Sequence, residues 1–163
     1  MIYEEYIPNS KTAFIAKVQQ ISRQLGINPD WLMVVMYAES RLNPAAYNKS
    51  SGASGLIQFM PSTAVGLGTT TAALRQMTNV AQLDYVYKYF KNYSGRINSV
   101  YDLYKIVFFP AMLGKPADWV LQTSTLSASA IAKANKIIDA NNDSKITVAE
   151  FEQYVDKYLK KKM

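Results

Sequence analysis

The feature that most constrains the fold is an uncharged run of eight residues, Trp31–Ala38, which is followed directly by Glu39. Periodicity alone does not distinguish a buried strand from a buried helix in so short a run. The flanking residues favour a helix, because Asn28 is a good N-cap residue and Pro29 suits the first helical position. Asn43-Pro44 disfavours continuation of the helix. The sequence therefore predicts a buried helix from Pro29 to about residue 41.

Glu39 continues the apolar face of this helix, because it follows Val35 by four residues and Leu32 by seven. Apolar neighbours and the partial negative charge of a helix C-terminus both raise the pKa of a carboxyl group. A carboxyl group that is protonated near neutral pH can donate a proton to a leaving group. The alternative is a structural glutamate that pairs with Arg41 or extends into solvent.

The rest of the chain also shows helical spacing of apolar residues. Ser10 is a candidate N-cap for a helix through Leu25, and Gly26 marks its end. Further helical segments are predicted at about residues 61–68, 72–77, 79–93, 98–110, 127–138 and 148–159. We find neither a β-rich region nor an internal repeat. The predicted fold class is all-α.

Composition and charge narrow the partners. The 163 residues suit one domain with a small appendage, and the net charge of +6 with a pI near 9.4 favours polyanionic surroundings. The basic residues are scattered, apart from a solvated tail at Lys160–Lys162, so no nucleic-acid-binding stripe is predicted. We expect no transmembrane segment, and Met1–Glu5 lack the features of a signal peptide.

The chain contains neither cysteine nor histidine. These absences exclude a Ser-His-Asp triad, a Cys-His hydrolase and the usual His/Cys zinc site. Any hydrolytic or lyase chemistry must therefore use carboxylates, tyrosines, lysines or a metal held by oxygen atoms.

The twelve acidic residues can be sorted by context. After those near the chain ends, at a helix start and in a separate acidic motif are set aside, Glu39, Asp84, Asp102 and Asp118 remain. Only Glu39 ends an apolar run. Since a glycosidase with two carboxylates needs a partner at a defined distance, the sequence indicates a single-carboxylate mechanism.

Two stretches, Glu39–Ala45 and Gly52–Ala64, resemble the soluble lytic transglycosylase (SLT) domain. The shared pattern is Glu-Ser, then Asn-Pro, then Gly-Ala-x-Gly-Leu-(Met/Ile)-Gln-x-Met-Pro-x-Thr-Ala. The resemblance covers about residues 11–110, with a later part that looks like phage-associated members. It implies a goose-lysozyme-like α fold and cleavage of the β-1,4 bond between N-acetylmuramic acid and N-acetylglucosamine in peptidoglycan.

The resemblance also implies roles for individual residues. Glu39 would protonate the glycosidic oxygen and then act as base on the sugar's 6-hydroxyl, which gives a 1,6-anhydromuramoyl end. The substrate's own N-acetyl group would stabilise the oxocarbenium-like centre in place of a second carboxylate.

Five further residues are implied to contact the substrate. Ser40 would position the acetamido group, while Gln58 and the backbone from Gly55 to Met60 would line the sugar cleft. Tyr104 takes the place of a tyrosine that supports the glutamate in the family, although Lys105-Ile106-Val107 replaces the usual Asn-Ala-Gly. Each residue also has a structural alternative. Ser40 could be only a hydroxyl at a helix end, and Gln58 could hydrogen-bond only within the loop. Met60 and Tyr104 could be core side chains.

A second motif lies near the C-terminus, where residues 139–150 fit the twelve-residue EF-hand calcium loop. The predicted ligands at loop positions 1, 3, 5, 7, 9 and 12 are Asp139, Asn141, Asp143, the Lys145 carbonyl, Thr147 and Glu150. Ser144 departs from the glycine expected at position 6, which needs a left-handed backbone. The alternative is an acidic cap-and-turn without metal.

Together these patterns predict an SLT-type lytic transglycosylase domain at 1–126 and an EF-hand-like helix-loop-helix at 127–163. We expect a monomer that acts on peptidoglycan glycan strands in the cell wall, in the periplasm, outside the cell or on a phage virion. Calcium would be structural, and catalysis would need no cofactor. The alternatives are a hydrolysing muramidase and a non-catalytic calcium-binding virion protein.

Overall fold

The computed structural model describes residues 1–160 and confirms the all-α class. These residues form α1 (Lys11–Leu25), α2 (Pro29–Ser40), α3 (Pro61–Gly66), α4 (Thr71–Gln76), α5 (Asn79–Lys91), α6 (Val100–Phe108), α7 (Ala128–Ala134) and α8 (Val148–Lys160). The described residues contain no strand, and their β-type pairing is limited to isolated bridges. Lys161 and Lys162 of the predicted basic tail lie outside the described residues.

Local capping explains several helix boundaries. Asn28 Oδ1 accepts a hydrogen bond from the Asp30 amide at 2.9 Å, which starts α2 as predicted. Gly26 adopts a left-handed φ of 71° and ends α1. The predicted cap at Ser10 is wrong, because its hydroxyl makes no capping hydrogen bond and its φ is 51°.

Two predicted helix ends also differ from the structure. The helix that starts after Ser127 was expected to reach Ile138 but ends at Ala134, where Asn135 leaves helical geometry at φ −134° and ψ 51°. Asn135 Nδ2 donates to the Ile131 carbonyl at 2.9 Å, so a side chain takes up one of the last carbonyls of α7. Similarly, α3 ends at Gly66 rather than at residue 68.

The chain forms two compact units, Met1–Leu103 and Tyr104–Met163. In the first unit, α1 packs against α2 and α5. The apolar run of α2 is buried as predicted, with Leu32, Val35 and Met36 fully inaccessible to solvent. Burying such side chains stabilises the folded state by roughly 1.5–3 kcal/mol each. The rigid, buried α2 thereby holds the residues at its C-terminal end.

The second unit is built around α8. Phe151 is fully buried, and its ring stacks on Phe108 with centroids 5.0 Å apart. Val120 and Thr147 form an antiparallel bridge, which attaches the segment before α7 to the start of α8. The predicted functional division at residue 126 stays a prediction.

Candidate active site

Glu39 is a half-buried residue in the last turn of α2. The helix ends directly after it, because Arg41 and Leu42 adopt left-handed φ values of 55° and 64°. The Leu42 amide donates to the Met36 carbonyl at 3.3 Å, and the Arg41 guanidinium donates to the Tyr37 carbonyl at 2.8 Å. The Met36 and Tyr37 carbonyls are therefore satisfied at the end of the helix that carries Glu39.

Ser40 connects this helix end to the loop that follows. Its side chain is buried, and its hydroxyl lies 2.9 Å from the Met36 carbonyl and 2.8 Å from the Leu56 carbonyl. A hydroxyl has one proton to donate, so these two carbonyls share it. The oxygen lone pairs can still accept a hydrogen bond. Ser40 thus has a structural role here, and its predicted contact with an acetamido group stays a prediction.

The loop after α2 is held by its own backbone. Ser54 and Phe59 exchange two hydrogen bonds, of 3.0 Å and 2.8 Å, and the Gly55 amide donates to the Ala46 carbonyl at 2.8 Å. Arg75 Nη1 donates to the buried Ser54 hydroxyl at 2.6 Å, and its guanidinium lies 4.1 Å from the centroid of the Tyr47 ring. These contacts give the loop a defined shape.

Gln82 is the internal support of this loop, and the sequence pattern did not indicate it. Its side chain, on α5, is fully buried. Its Oε1 accepts from the Leu56 amide at 2.6 Å, while Nε2 donates to the carbonyls of Pro44 and Leu74, each at 2.9 Å. The available signal was a polar amide beside Leu83 on the apolar face of a predicted helix.

Gly55 lies directly against this glutamine. Its φ is +84°, and a Cβ at this position would collide with Gln82 Oε1. Glycine is therefore required by both the backbone conformation and the close approach. Gly55 is buried and has no side chain. Its predicted role in substrate binding is therefore limited to shaping the loop backbone.

An open cleft of about 630 Å³ lies beside Glu39, a size typical of small-molecule sites. The residues that line it include Glu39, Ser40, Arg41, Tyr47, Asn48, Lys49 and Gln58. Among the described residues that line it, Glu39 is the one carboxylate. The structure therefore brings together three of the predicted site residues, from the end of α2 and from the loop.

Gln58 and Met60 occupy different positions around this cleft. Gln58 has a left-handed φ of 58°, and its Nε2 donates to the Gly55 carbonyl at 3.1 Å. Met60 is 46% exposed, immediately before Pro61 of α3, and does not line the cleft. Met60 is therefore not a core side chain, and its contact with substrate stays a prediction.

Tyr104 belongs to the second unit. It is 2% exposed, and its ring meets the edge of Phe151 with centroids 5.4 Å apart. The next residue, Lys105, is buried and forms an ion pair with Glu152 at 3.6 Å. The lysine that departs from the family pattern thus has a structural partner on α8. The predicted support of Glu39 by Tyr104 stays a prediction.

Tyr89 on α5 is a neighbour of Glu39. Its ring lies edge-on to Phe59, with centroids 6.2 Å apart. Burial raises the pKa of Tyr89 to about 12, with further contributions from Tyr93 and from the negative charge of Glu39. Tyr89 therefore keeps its phenolic proton at physiological pH, close enough to Glu39 to sense its charge.

The predicted metal ligands lie in the second unit. Asp139, Asp143 and Glu150 each place a carboxylate oxygen within 4.8 Å of the other two. The structure thus brings together the three carboxylates of the predicted loop.

The Transglycosylase SLT domain family matches residues 17–107, which is 91 of 163 residues and more than half of the chain. The chain belongs to this family of helical, lysozyme-like domains. Comparison with curated proteins and with solved structures found no match. The matched segment contains Glu39, the loop after it and Gln82, whereas the acidic loop at 139–150 lies outside it.

Membership of the family makes this a transglycosylase-type protein with a peptidoglycan-degrading function, and places its action on the cell wall. Within residues 1–160, no helix is long and apolar enough to cross a membrane.

Proposed function

We propose that this chain cleaves the β-1,4 bond between N-acetylmuramic acid and N-acetylglucosamine, with Glu39 as the single acid and base. The observation that carries this proposal is the cleft, where Glu39 is the one carboxylate among the described lining residues. The described residues that line the cleft therefore offer no second carboxylate for a two-carboxylate mechanism. The geometry therefore favours a reaction in which the substrate supplies the second group.

The proposed reaction has two proton transfers. Glu39 first donates its proton to the glycosidic oxygen, and the bond from that oxygen to C1 of the muramic acid breaks. The substrate's N-acetyl oxygen stabilises the positive charge that develops at C1. Glu39, now ionised, then takes the proton of the 6-hydroxyl, and the 6-oxygen bonds to C1. The products are a free 4-hydroxyl and a 1,6-anhydromuramoyl end, and Glu39 is protonated again.

The surroundings of Glu39 are suited to this cycle. Glu39 is half-buried at the C-terminal end of α2, and the cycle starts from its protonated form. Tyr89 supplies a neutral phenol nearby, and the cleft also contains Arg41 and Lys49, whose charges attract an acidic wall polymer. We include Tyr89 as a positioning residue for Glu39.

The substrate contacts are part of the proposal. The Ser40 hydroxyl already donates its proton to backbone carbonyls. It would therefore act by accepting a hydrogen bond from the acetamido N–H. Gln58 would contact the sugar from the cleft wall, beside the backbone that Gly55 shapes. Met60 would add an exposed apolar contact.

Product analysis tests this function. Purified peptidoglycan is digested with the full chain, and the soluble fragments are identified by mass spectrometry. We expect 1,6-anhydromuramoyl ends, and a loss of rate on the order of 10²–10⁴-fold in Glu39→Gln. Asp84→Asn is the matched control, because it neutralises a 59% exposed carboxylate in the same unit.

Other outcomes distinguish the alternatives. Reducing muramic acid without the anhydro product identifies a hydrolysing muramidase that uses water in place of the 6-hydroxyl. If the wild-type protein releases no fragments, or if Glu39→Gln releases them at the wild-type rate, the catalytic proposal is wrong. The first of those results favours a non-catalytic structural protein.

A further inference from the structure

The acidic loop at 139–150 is a pre-shaped turn fixed at its C-terminal end. Helix α8 begins at Val148, so Glu150 lies in its first turn. Ile146 is fully buried, its carbonyl accepts from the Leu121 amide at 2.9 Å, and the Val148 amide donates to the Trp119 carbonyl at 3.0 Å. This backbone pairing sets the position of the loop without any contribution from the carboxylates.

Three carboxylates converge inside this turn, those of Asp139, Asp143 and Glu150, with oxygens within 4.8 Å of one another. None of the ion pairs formed within residues 1–160 involves any of these three. Like charges at such separations repel one another, and the repulsion destabilises the loop when no cation is bound.

A buried oxygen without a partner indicates a ligand. Asp139 is 7% exposed, and its Oδ2 accepts from the Ser144 amide at 3.0 Å. Its Oδ1 is buried and has no hydrogen-bond partner. An unpartnered carboxylate oxygen is costly to bury, and such groups are normally paired or bound to metal. Asp139 Oδ1 is therefore available to a cation at the centre of the cluster.

The other oxygens are held in place by backbone amides. Glu150 Oε2 accepts from the Ala140 amide at 2.8 Å, and Asp143 Oδ1 accepts from the Lys145 amide at 3.0 Å. Asn141 Oδ1 accepts from the Asp143 amide at 3.2 Å, which leaves it a second lone pair. Each of these side chains is thus oriented while it retains capacity to bind a cation.

We propose that residues 139–150 bind one Ca²⁺, an inference independent of the proposed catalytic function. Asp139, Asn141, Asp143, the Lys145 carbonyl and Glu150 supply the protein oxygens. Thr147 acts through a bridging water, because its hydroxyl caps α8 by accepting from the Glu150 amide at 3.2 Å. A set made only of oxygen atoms suits a hard cation, and the large number of protein oxygens favours Ca²⁺ over the strictly octahedral Mg²⁺, which usually keeps several waters.

Calcium at this site has a structural role within the second unit. It bridges Asp139, the first residue of the loop, to Glu150 on α8, and it removes the repulsion among the three carboxylates. Lys133 and Lys136 line a depression of about 460 Å³ next to the loop, so their positive charges reduce the affinity for calcium. Because the ion binds the folded chain, the stabilisation grows with the logarithm of the free calcium concentration once that concentration exceeds the dissociation constant.

Asp143→Asn is the variant that tests this site without unfolding it. Asp143 is exposed, and asparagine preserves the oxygen that accepts from the Lys145 amide while it removes one charge. Asp118→Asn is the matched control, an exposed charge in the same unit and outside the loop. Circular dichroism verifies that both variants have the wild-type helical content.

The full chain is first stripped with EGTA and then titrated with CaCl₂ or MgCl₂ in a calorimeter, with melting temperatures measured in parallel. We expect one calcium per chain, a higher melting temperature with calcium, and affinity that is weaker by about tenfold or more in Asp143→Asn. In EGTA, this variant should melt at or above the wild-type temperature, because it lacks one of the repelling charges. Asp118→Asn should bind calcium as the wild type does.

Three results would overturn the proposal. The first is a wild-type protein that shows neither binding heat nor a change in melting temperature between EGTA and millimolar calcium. The second is an Asp143→Asn variant whose calcium affinity equals that of the wild type. The third is magnesium that binds and stabilises the protein as strongly as calcium, which contradicts the assignment to Ca²⁺.

Discussion

Gln82 Oε1 accepts a hydrogen bond from the Leu56 amide at 2.6 Å, and this bond joins helix α5 to the loop beside Glu39. The same side chain donates to the carbonyls of Pro44 and Leu74. One buried amide therefore satisfies three backbone groups that come from three separate parts of the first unit. The shape of the cleft depends on a residue that does not line it.

Replacement of Gln82 by leucine should destabilise the protein by about 3 kcal/mol or more, because two buried backbone groups and one part-buried group lose their partner, at about 1–3 kcal/mol for each buried group. Urea denaturation measures this loss. Gln24→Leu is the control, an exposed glutamine on α1 whose replacement should change the free energy of unfolding by less than about 0.5 kcal/mol. Equal urea midpoints for the two variants would show that Gln82 does not support the loop.

Gly55→Ala and Gly95→Ala form a matched pair, since both glycines have a φ of +84°. Both variants pay roughly 1–2 kcal/mol for a side chain in the left-handed region. Only Gly55→Ala also places a Cβ against Gln82, which adds about 1–3 kcal/mol of overpacking, whereas the space around Gly95 is open. Thermal unfolding should show a larger loss for Gly55→Ala.

The interaction of the two residues can be isolated in a double-mutant cycle. In a Gln82→Ala background, Gly55→Ala should cost only as much as Gly95→Ala does, because the colliding oxygen is gone. A cost that is the same in both backgrounds would mean that the collision with Gln82 is not the cause.

The parts of the fold that sequence predicted well are those fixed by neighbouring residues. The start of α2 depends on Asn28 and Asp30, which are two residues apart. The burial of α2 follows directly from its run of apolar residues. The end of α7 was missed, because Asn135 is compatible with a helix until its side chain binds the Ile131 carbonyl. The pairing of Leu121 with Ile146 was also missed, since residues 117–127 carry no clear periodicity.

The site divides in the same way. Glu39 and the loop are found from a contiguous motif, and the acidic loop from its spacing. Gln82 lies 26 residues from Leu56 and 38 from Pro44, so its role depends on tertiary contacts that no local pattern encodes. Nothing in the spacing of Tyr89 along α5 reveals that it lies close to Glu39.

Tyr89 should make the protein less stable at alkaline pH. Its pKa is raised from 10.0 to about 12 in the folded state, so between these values the folded protein holds a proton that the unfolded chain releases. The stabilisation is complete below pH 10 and falls as the pH rises through 12, by roughly 2–3 kcal/mol in all. Urea midpoints measured at about pH 9 and about pH 11 should therefore differ less in Tyr89→Phe than in wild type.

Two controls belong to this measurement. Tyr87→Phe, on the same helix, should retain the wild-type pH dependence. Spectrophotometric titration of Glu39→Gln should show a lower pKa for Tyr89, since the raising charge is gone, but only slightly lower because burial is the larger cause. An unchanged pKa in that variant would argue against the proximity of the two side chains.

Ser144 occupies the sixth position of the acidic loop with a φ of 65°, where a non-glycine residue is strained by roughly 1–2 kcal/mol. Ser144→Gly removes this strain but gains conformational freedom in the unfolded chain worth about 0.4–1 kcal/mol, so the net stabilisation should be about 0.5–1 kcal/mol. Chemical denaturation in EGTA measures this gain. Asn142→Gly, at φ 55°, is the control and should gain less, because asparagine tolerates the left-handed region.

Calcium affinity should change far less than stability in Ser144→Gly. The left-handed backbone is already present without metal, and the Ser144 amide already donates to Asp139 Oδ2. The strain at Ser144 therefore lowers the free energy of unfolding and does not change the free energy of calcium binding. We expect the calcium dissociation constant to stay within about threefold of the wild-type value, since a difference of 1.4 kcal/mol is needed for a tenfold change. A much tighter site in the glycine variant would instead mean that the loop changes its backbone conformation when the ion binds.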